Sequence, residues 1–243
     1  ANAADMNMNG AYLVALGRNK GVKSKIVATG STVYPGWYLV VPKNSPIKSA
    51  ADLAGKKVGV TANGSITDFL ALWTARTNKV SFTRVPVGGG GLIPNLLNGN
   101  IDAAVVYSPL SFKLLNTGSA HSIIDFGKVM DPDLNAGWIA TDDFITNHPK
   151  AVQGTLNAIF GAVQYLQTHK DYAVKLIAEL NDLPPEVAAL EYQNSIMGAS
   201  KDGAISPKAV EHSVELATQG GLTNLAPAAD TFVTTFKPVP TQP

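Results

Sequence analysis

Cysteine is absent from all 243 residues. That removes thiolate nucleophiles, disulfides and zinc–cysteine sites together. It leaves the compartment open, because a chain with a large enough core dispenses with disulfides wherever it works. Charge is sparse: 15% of residues are charged, the formal net charge is +1, and no basic run or aromatic–basic interleaving occurs. Nucleic acid and membrane surfaces are therefore not indicated as partners. No apolar stretch approaches the length of a membrane span. The four histidines, His121, His148, His169 and His212, are scattered without the i, i+4 spacing of a zinc helix, and His148 before Pro149 reads as helix-start chemistry. Ser65 has no G-x-S-x-G setting, and Asp131-Pro132-Asp133 and Asp142-Asp143 read as turn and cap residues, not paired catalytic acids. Gly88–Gly91 lacks the lysine and hydroxyl spacing of a phosphate loop. No cofactor or metal is called for, and no enzyme class finds a complete set of parts. The sequence also has no initiator methionine and no leader at Ala1, so it reads as a processed or truncated product.

What is present is apolar and periodic. Hydrophobic residues make up 45% of the chain, enough for one large domain or two lobes with a good core. Short β-type runs over 25–28, 37–41, 57–60, 82–87, 101–106, 122–124 and 137–140 alternate with helical patterns, the signature of an α/β fold with a parallel sheet. The shorter helices are one turn at 49–53, one from Ser65, one over 92–97 and one over 111–115. After Asp142 the character changes to helices over 149–168, 171–181, 185–196 and 207–219, each opened by proline or aspartate. The middle of the chain has strands and helices for a complete small lobe, while the segment before Trp37 is too short to form a core alone. Two lobes are therefore expected: 1–41 with 136–243, and 42–135. The chain would cross between them twice, near 37–42 and 135–140. The loops at Gly64, at 88–91 and at 107–109 all follow strands of the middle lobe and should meet at one rim of the interlobe cleft.

The stretch "VGVTANGSITDFLALW" (58–73) is the most informative. A short strand runs through Thr61-Ala62-Asn63-Gly64-Ser65 into an amphipathic helix. A helix start leaves several backbone N–H groups free, with the positive end of the dipole behind them. Such an end receives an anion, or Ser65 simply caps its own helix.

"GWYLVVPKNSPIKSAADLAGKKVGV", "LLNGNIDAAVVYSP" and "WIATDDFITNHPKAVQGTLNAI" resemble the substrate-binding proteins of bacterial ABC importers of the nitrate, taurine and alkanesulfonate group. The resemblance runs in order from about residue 3 to 236. It implies the two-lobed periplasmic-binding-protein fold, related to the thiamine-pyrimidine synthase family, with a double hinge crossing. In that family a further strand-helix-strand unit comes first, and here the chain starts near a stretch like its next strand, at Ala4-Asp5-Met6. Either the chain is a fragment or the first lobe is completed by other means. Self-association through the edge left by the missing unit is one expectation.

The resemblance implies extracytoplasmic or periplasmic capture of a small organic anion (sulfonate, carboxylate or similar) and delivery to a membrane permease, with no catalysis. In the second lobe, Asn63, Gly64, Ser65, Ile66 and Thr67 resemble the anion-holding loop. Gly30, Ser31, Thr32 and Tyr34 would face it from the other lobe. Gly89 and Gly90 either permit close backbone approach or form a plain flexible turn, and Tyr107 and Trp138 either wall an organic tail or pack in the core. The alternatives on the same fold are an enzyme of the pyrimidine-precursor type, which depends on a histidine and a cysteine-rich segment, or a regulator's effector domain, which needs a DNA-binding domain ahead of it.

Overall fold

A computed structural model describes residues 4–240. Two sheets organise it. The smaller contains β1 (Met6–Asn9), β2 (Ser24–Ser31) and β8 (Ala136–Thr141), with β8 in the middle and antiparallel to both neighbours. The larger is built from β3 (Tyr38–Pro42), β4 (Lys57–Val60), β5 (Thr83–Pro86), β6 (Ala103–Val106) and β7 (Ala120–Asp125), in the order β5-β4-β6-β3-β7. β4 is parallel to β5 and β6, while β3 runs antiparallel to β6 and β7. The expectation of a parallel sheet is thus corrected. The larger sheet is mixed because β3 enters it from the first crossing in the opposite sense, and the smaller sheet is wholly antiparallel.

Strand composition explains the order. β6 reads Ala-Ala-Val-Val with every residue buried, as a strand covered on both faces requires. β5 carries Pro86 and lies at the edge, where a missing N–H costs least. β1 is the other kind of edge: no strand pairs with its outer side among the described residues, and three of its four residues are exposed.

In chain order the helices are α1 (Ala11–Asn19), α2 (Ile66–Thr77), α3 (Leu92–Leu97), α4 (Leu110–Asn116), α5 (Phe126–Val129), α6 (Asp142–Asn147), α7 (Pro149–Thr168), α8 (Lys170–Asn181), α9 (Pro185–Glu191) and α10 (Pro207–Gln219). A 3₁₀ turn at Ala50–Leu53, closed by a Ser49–Asp52 capping box, takes the place of the expected helical turn. A π-helical turn at Tyr192–Ile196 ends the pattern that reads as one helix over 185–196.

α1 has no counterpart in the sequence reading. Its N-cap is Gly10 without a side-chain bond, it has no acidic residue in its first turn, and Gly17 sits inside it. Packing of Ala11, Tyr12, Val14 and Ala15 and the Arg18–Asp142 ion pair hold it.

α7 covers the smaller sheet through Val152, Leu156 and Phe160 against Val27, Ala28 and Ala140. α8 and α9 pack instead on α4 of the larger sheet, with Ala173, Ile177, Val187 and Ala188 around Phe112. α1 and α10 also reach across: Tyr12, Leu216 and Ala217 share one apolar cluster with Phe69 and Leu70 of α2, and the Tyr12 and Phe69 rings lie 4.6 Å apart. The two connecting segments are tied to each other, since the Asp133 N–H donates to the Thr32 carbonyl at 3.1 Å and Asn135 Nδ2 donates to the Val33 carbonyl.

Candidate functional site

Because β5, β4 and β6 lie side by side and parallel, the loops after their C-terminal ends emerge together. Thr61, Ser65 and Thr67 after β4, Gly89 after β5 and Tyr107 after β6 line one cavity of about 400 Å³, closed on the far side by Met8 and Asn9 at the end of β1. A second cavity of about 280 Å³ shares Met8, Trp37 and Ile66 with it and continues between Gly30, Ser31 and Asn135 on one side and Ser108, Glu191 and Ser195 on the other. Together they form a continuous cleft between the two sheets.

Ser65 is the N-cap of α2, and its Oγ accepts the Asp68 N–H at 3.2 Å. Thr67 is 2% exposed and its Oγ1 is the hub of the loop. It accepts the Thr61 N–H at 2.8 Å and lies 2.9 Å from Thr61 Oγ1 and 2.8 Å from Ser65 Oγ. A hydroxyl has one proton and two lone pairs. Thr67 Oγ1, already accepting an N–H, therefore accepts from one neighbouring hydroxyl and donates to the other. The three hydroxyls hold three protons and make two bonds among themselves. One proton is left over, on Ser65 or Thr61, and both residues line the cavity.

The Ile66 and Thr67 N–H groups, in the first turn of α2, have no acceptor among the described residues. Donors thus converge at this end without a full positive charge. The loop's shape is fixed from behind: Gly64 takes φ +78°, a conformation for which glycine is suited, and its N–H donates to Asp68 Oδ2 at 2.8 Å, while Asp68 Oδ1 pairs with Arg84 of β5. Gly89 has a different reason to be glycine, since a Cβ there would stand 2.9 Å from the Tyr107 hydroxyl.

The aromatic wall is Trp37 against Tyr107, with ring centroids 5.3 Å apart. Trp138 lines neither cavity and packs with Met6 and Phe144 beside the α7 core. Tyr34 is also outside both cavities, 1% exposed in the large apolar cluster. Asn63 and Gly90 are exposed, and they, Thr32 and Gly64 stand behind the rim without lining either cavity. The cleft brings together Gly30, Ser31, Ser65, Ile66, Thr67, Gly89 and Tyr107.

Sequence reasoning missed Met8, Asn9, Trp37, Asn135, Glu191 and Ser195. For Trp37 the signal was its place just before β3 at the first crossing. For Asn135 it was a polar residue opening β8 at the second. Glu191 and Ser195 had none, because the π-helical turn that aims them is invisible in the pattern. Among the described residues, Glu191 is the one charged residue lining the two cavities. Burial pushes its carboxyl above the usual carboxylate range, with the Ser195 and Ser108 hydroxyls pulling the other way.

Residues 1–173 match the family described as NMT1/THI5 like. A curated protein of Escherichia coli (strain K12), named for binding aliphatic sulfonates, is 26% identical over 157 residues, which is 62% of this chain and 47% of that protein. The chain thus spans about half the length of the curated relative it matches. Among solved structures, the alkanesulfonate-binding protein SsuA of Xanthomonas axonopodis pv. citri, bound to MOPS, superposes with TM-score 0.80 at 17% identity, over 94% of this chain and 80% of that one. The periplasmic aliphatic sulphonate binding protein SsuA of Escherichia coli gives TM-score 0.76 at 18% identity, over 100% and 79%. The desulfurization enzyme DSZB gives 0.64 at 18%, over 95% and 83%. The fold is therefore that of the periplasmic binding proteins, and the chain belongs to the NMT1/THI5 like family.

Proposed function

We propose that this protein is an extracytoplasmic solute-binding protein that captures a small organic anion, a sulfonate in the first place, in the cleft between its two sheets and presents it to the permease of an ABC importer. The observation that carries this reading is the donor cluster at the start of α2. One hydroxyl proton and two main-chain N–H groups have no acceptor among the described residues, at the positive end of a twelve-residue helix. A sulfonate offers three acceptor oxygens to such a cluster, and the Trp37–Tyr107 wall offers area for its carbon tail. The names of the sulfonate-binding relatives support the same ligand class. Contacts from both sheets would favour a closed arrangement, so ligand shifts the open–closed population by its differential affinity. The reading carries no catalytic step. The likeness to a desulfurization enzyme is one of fold and does not separate binding from catalysis, so recovery of bound sulfonate chemically unchanged is part of the test.

The test is calorimetric titration of propane-1-sulfonate into wild type and the Ser65→Ala/Thr67→Ala double variant. With one hydroxyl proton offered to the ligand and ~1.5–2 kcal/mol per charge-assisted hydrogen bond, affinity should fall by roughly 1.5–2 kcal/mol. The ligand-free variant should also melt earlier, because Thr67 Oγ1 is buried and its loss leaves the Thr61 N–H unpaired, a cost of about 1–3 kcal/mol. Affinity held by a buried helix start should respond weakly to added salt. Unchanged affinity in a variant that merely melts early would reduce Ser65 and Thr67 to structural residues and sink the proposal.

A further inference from the structure

The outer edge of β2 is covered by irregular chain instead of a strand. Near its start the Ile26 N–H donates to the Thr231 carbonyl at 2.8 Å and the Ile26 carbonyl accepts the Val233 N–H at 3.0 Å, which makes a parallel bridge between Ile26 and Phe232. Near its end, where Gly30 and Ser31 line the second cavity, residues 199–204 take over. The Thr29 N–H donates to the Gly203 carbonyl at 2.9 Å, the Ser200 N–H donates to the Gly30 carbonyl at 2.8 Å, and Ala199 bridges Ser31 antiparallel. Ala199 lines the cavity beside them. Whatever holds the 199–204 loop therefore holds this wall of the cleft.

The loop is backed by the C-terminal segment 231–240. Val233, Phe236 and Val239 recur at every third residue, the repeat of a polyproline-type chain, and pack with Val152, Leu156 and Phe160 of α7. α7 also grips the main chain of the segment: Gln153 Nε2 donates to the Lys237 carbonyl at 3.1 Å, and Gln153 Oε1 accepts the Lys237 N–H at 2.9 Å. Further along, the Val239 N–H donates to the Asp202 carbonyl at 2.9 Å. Gln164 Nε2 donates both to the Pro240 carbonyl at 3.2 Å and to the Lys201 carbonyl at 2.7 Å. One buried side-chain amide of α7 thus joins the end of the segment to the loop that bonds Gly30. Packing around the segment is incomplete, with a cavity of about 120 Å³ between it and β2 and one of about 730 Å³ between it and the start of α7. Its attachment therefore depends on these hydrogen bonds and on three apolar side chains.

We infer that residues 231–240 are a strap that positions one wall of the cleft, with Gln164 as the positioning residue that joins the strap to the 199–204 loop and, through that loop, to Gly30 and Ser31. With the strap docked, this wall is ordered before a ligand arrives. With the strap loosened, the ligand must order the wall itself, which lowers affinity. The donor cluster at the start of α2 stands on the larger sheet's side of the cleft, outside this chain of hydrogen bonds. The strap therefore acts on the part of a ligand lying in the second cavity and leaves the anionic head alone. This inference deepens the anion-capture reading; its affinity test rests on that reading, and its exchange test does not.

Hydrogen exchange on the ligand-free full chain is the first measurement. In Gln164→Leu, which fills similar space and cannot donate, the Thr29 and Ser200 amides should exchange about tenfold or more faster than in wild type, while the Thr61 amide in the α2 loop keeps its rate. Calorimetric titration then compares methanesulfonate, too short to leave the α2 end, with hexane-1-sulfonate, which extends past Trp37. The hexane-to-methane affinity ratio should fall by roughly threefold or more in Gln164→Leu and in Phe236→Ala, the low end of couplings carried through packed networks. The double variant should lose no more than the larger single loss, because both changes act through one link. A residue of structural importance alone would lower the melting temperature and move both ligands alike, so the ratio separates the two roles. If Phe236→Ala does not fold, Gln164→Leu decides the ratio by itself. Unchanged exchange at Thr29 and Ser200, an unchanged ratio, or additive losses in the double variant would each overturn the inference and leave anion capture intact. Failure of both sulfonates to bind wild type at millimolar concentration would overturn the anion-capture reading instead, and the exchange rates would still decide whether the strap holds the wall.

Discussion

Single residues carry opposite duties in this chain. Thr67 is both core and site: its buried oxygen joins Thr61 and Ser65 and leaves one of their hydroxyl protons for the cleft. Asp133 is purely a cost at neutral pH. It is 1% exposed, its Oδ1 has no partner, and burial raises its pKa from 3.8 to about 6, against the smaller opposing pull of the Ser213 and Tyr34 hydroxyls and of His212. Between about pH 4 and pH 6 the folded chain holds a proton that the unfolded chain has released, so stability from this group falls as pH rises through that window. Above about pH 6 the full penalty applies, about 3 kcal/mol from ~1.4 kcal/mol per pH unit. Asp133→Asn should remove the dependence. Denaturant unfolding of both proteins at pH 5 and pH 7 should show the variant gaining on wild type at pH 7 by more than at pH 5. Equal differences at the two pH values would place the charge of Asp133 elsewhere than in this balance. In the sequence this residue reads as a turn aspartate, since the acidic-proline-acidic pattern contains nothing about Tyr34 or Ser213, 99 residues before and 80 after it.

At the scale of elements, the Arg84–Asp68 pair joins β5 to α2 and holds the Gly64 loop through the second oxygen of Asp68. Asp68 is buried while Arg84 is one third exposed. Removing Arg84 therefore strands a buried carboxylate without its partner, whereas removing Asp68 leaves a cation that reaches water. Arg84→Ala should cost about 1–3 kcal/mol in thermal or denaturant unfolding, and Arg84→Ala/Asp68→Asn should cost less than the single change. A double variant less stable than Arg84→Ala would mean that the Asp68 carboxylate matters for the Gly64 N–H and not for the ion pair.

Most elements of this kind are legible in sequence where the apolar pattern and the cap agree: 57–60, 92–97, 149–168 and 207–219 match β4, α3, α7 and α10. α1 is not, because a glycine cap and an interior glycine give no local signal and tertiary contacts alone select its helix.

For the whole molecule, we propose the lobe boundaries read from sequence, 1–41 with 136–243 against 42–135. Limited proteolysis should cut first within 43–46 or at 131–132, where the chain is largely exposed, and later at 133–135, where it is buried and bonded to Thr32 and Val33. Because α8 and α9 cover Phe112 of α4, and Tyr12 and Leu216 share a cluster with Phe69, the nicked pieces should stay together in size-exclusion chromatography and separate only in denaturant. An earliest stable fragment ending within 58–106 would mean that 42–135 is not a folding unit. Self-association through the free edge of β1 is the corresponding proposal for the smaller sheet, and concentration-dependent sedimentation tests it.

The sequence by itself determined the alternation of strands and helices, the place of the α2 cap, and the meeting of three loops at one rim, because each follows from periodicity, cap chemistry or the rule that loops after neighbouring strands emerge together. The direction of β3 was decided only by tertiary structure, since an apolar pentapeptide pairs equally well either way until its neighbours are chosen. So was the exchange of Trp138 for Trp37 as a cleft wall. The alternation that turns Trp138 toward the α7 core depends on which face of β8 meets α7, and that is a property of packing, not of residue type. Glu191 and Asn135 were the furthest from view: they lie 56 residues apart, on a helix end and a strand start, and their shared cavity exists only once the two sheets and the helices between them are assembled.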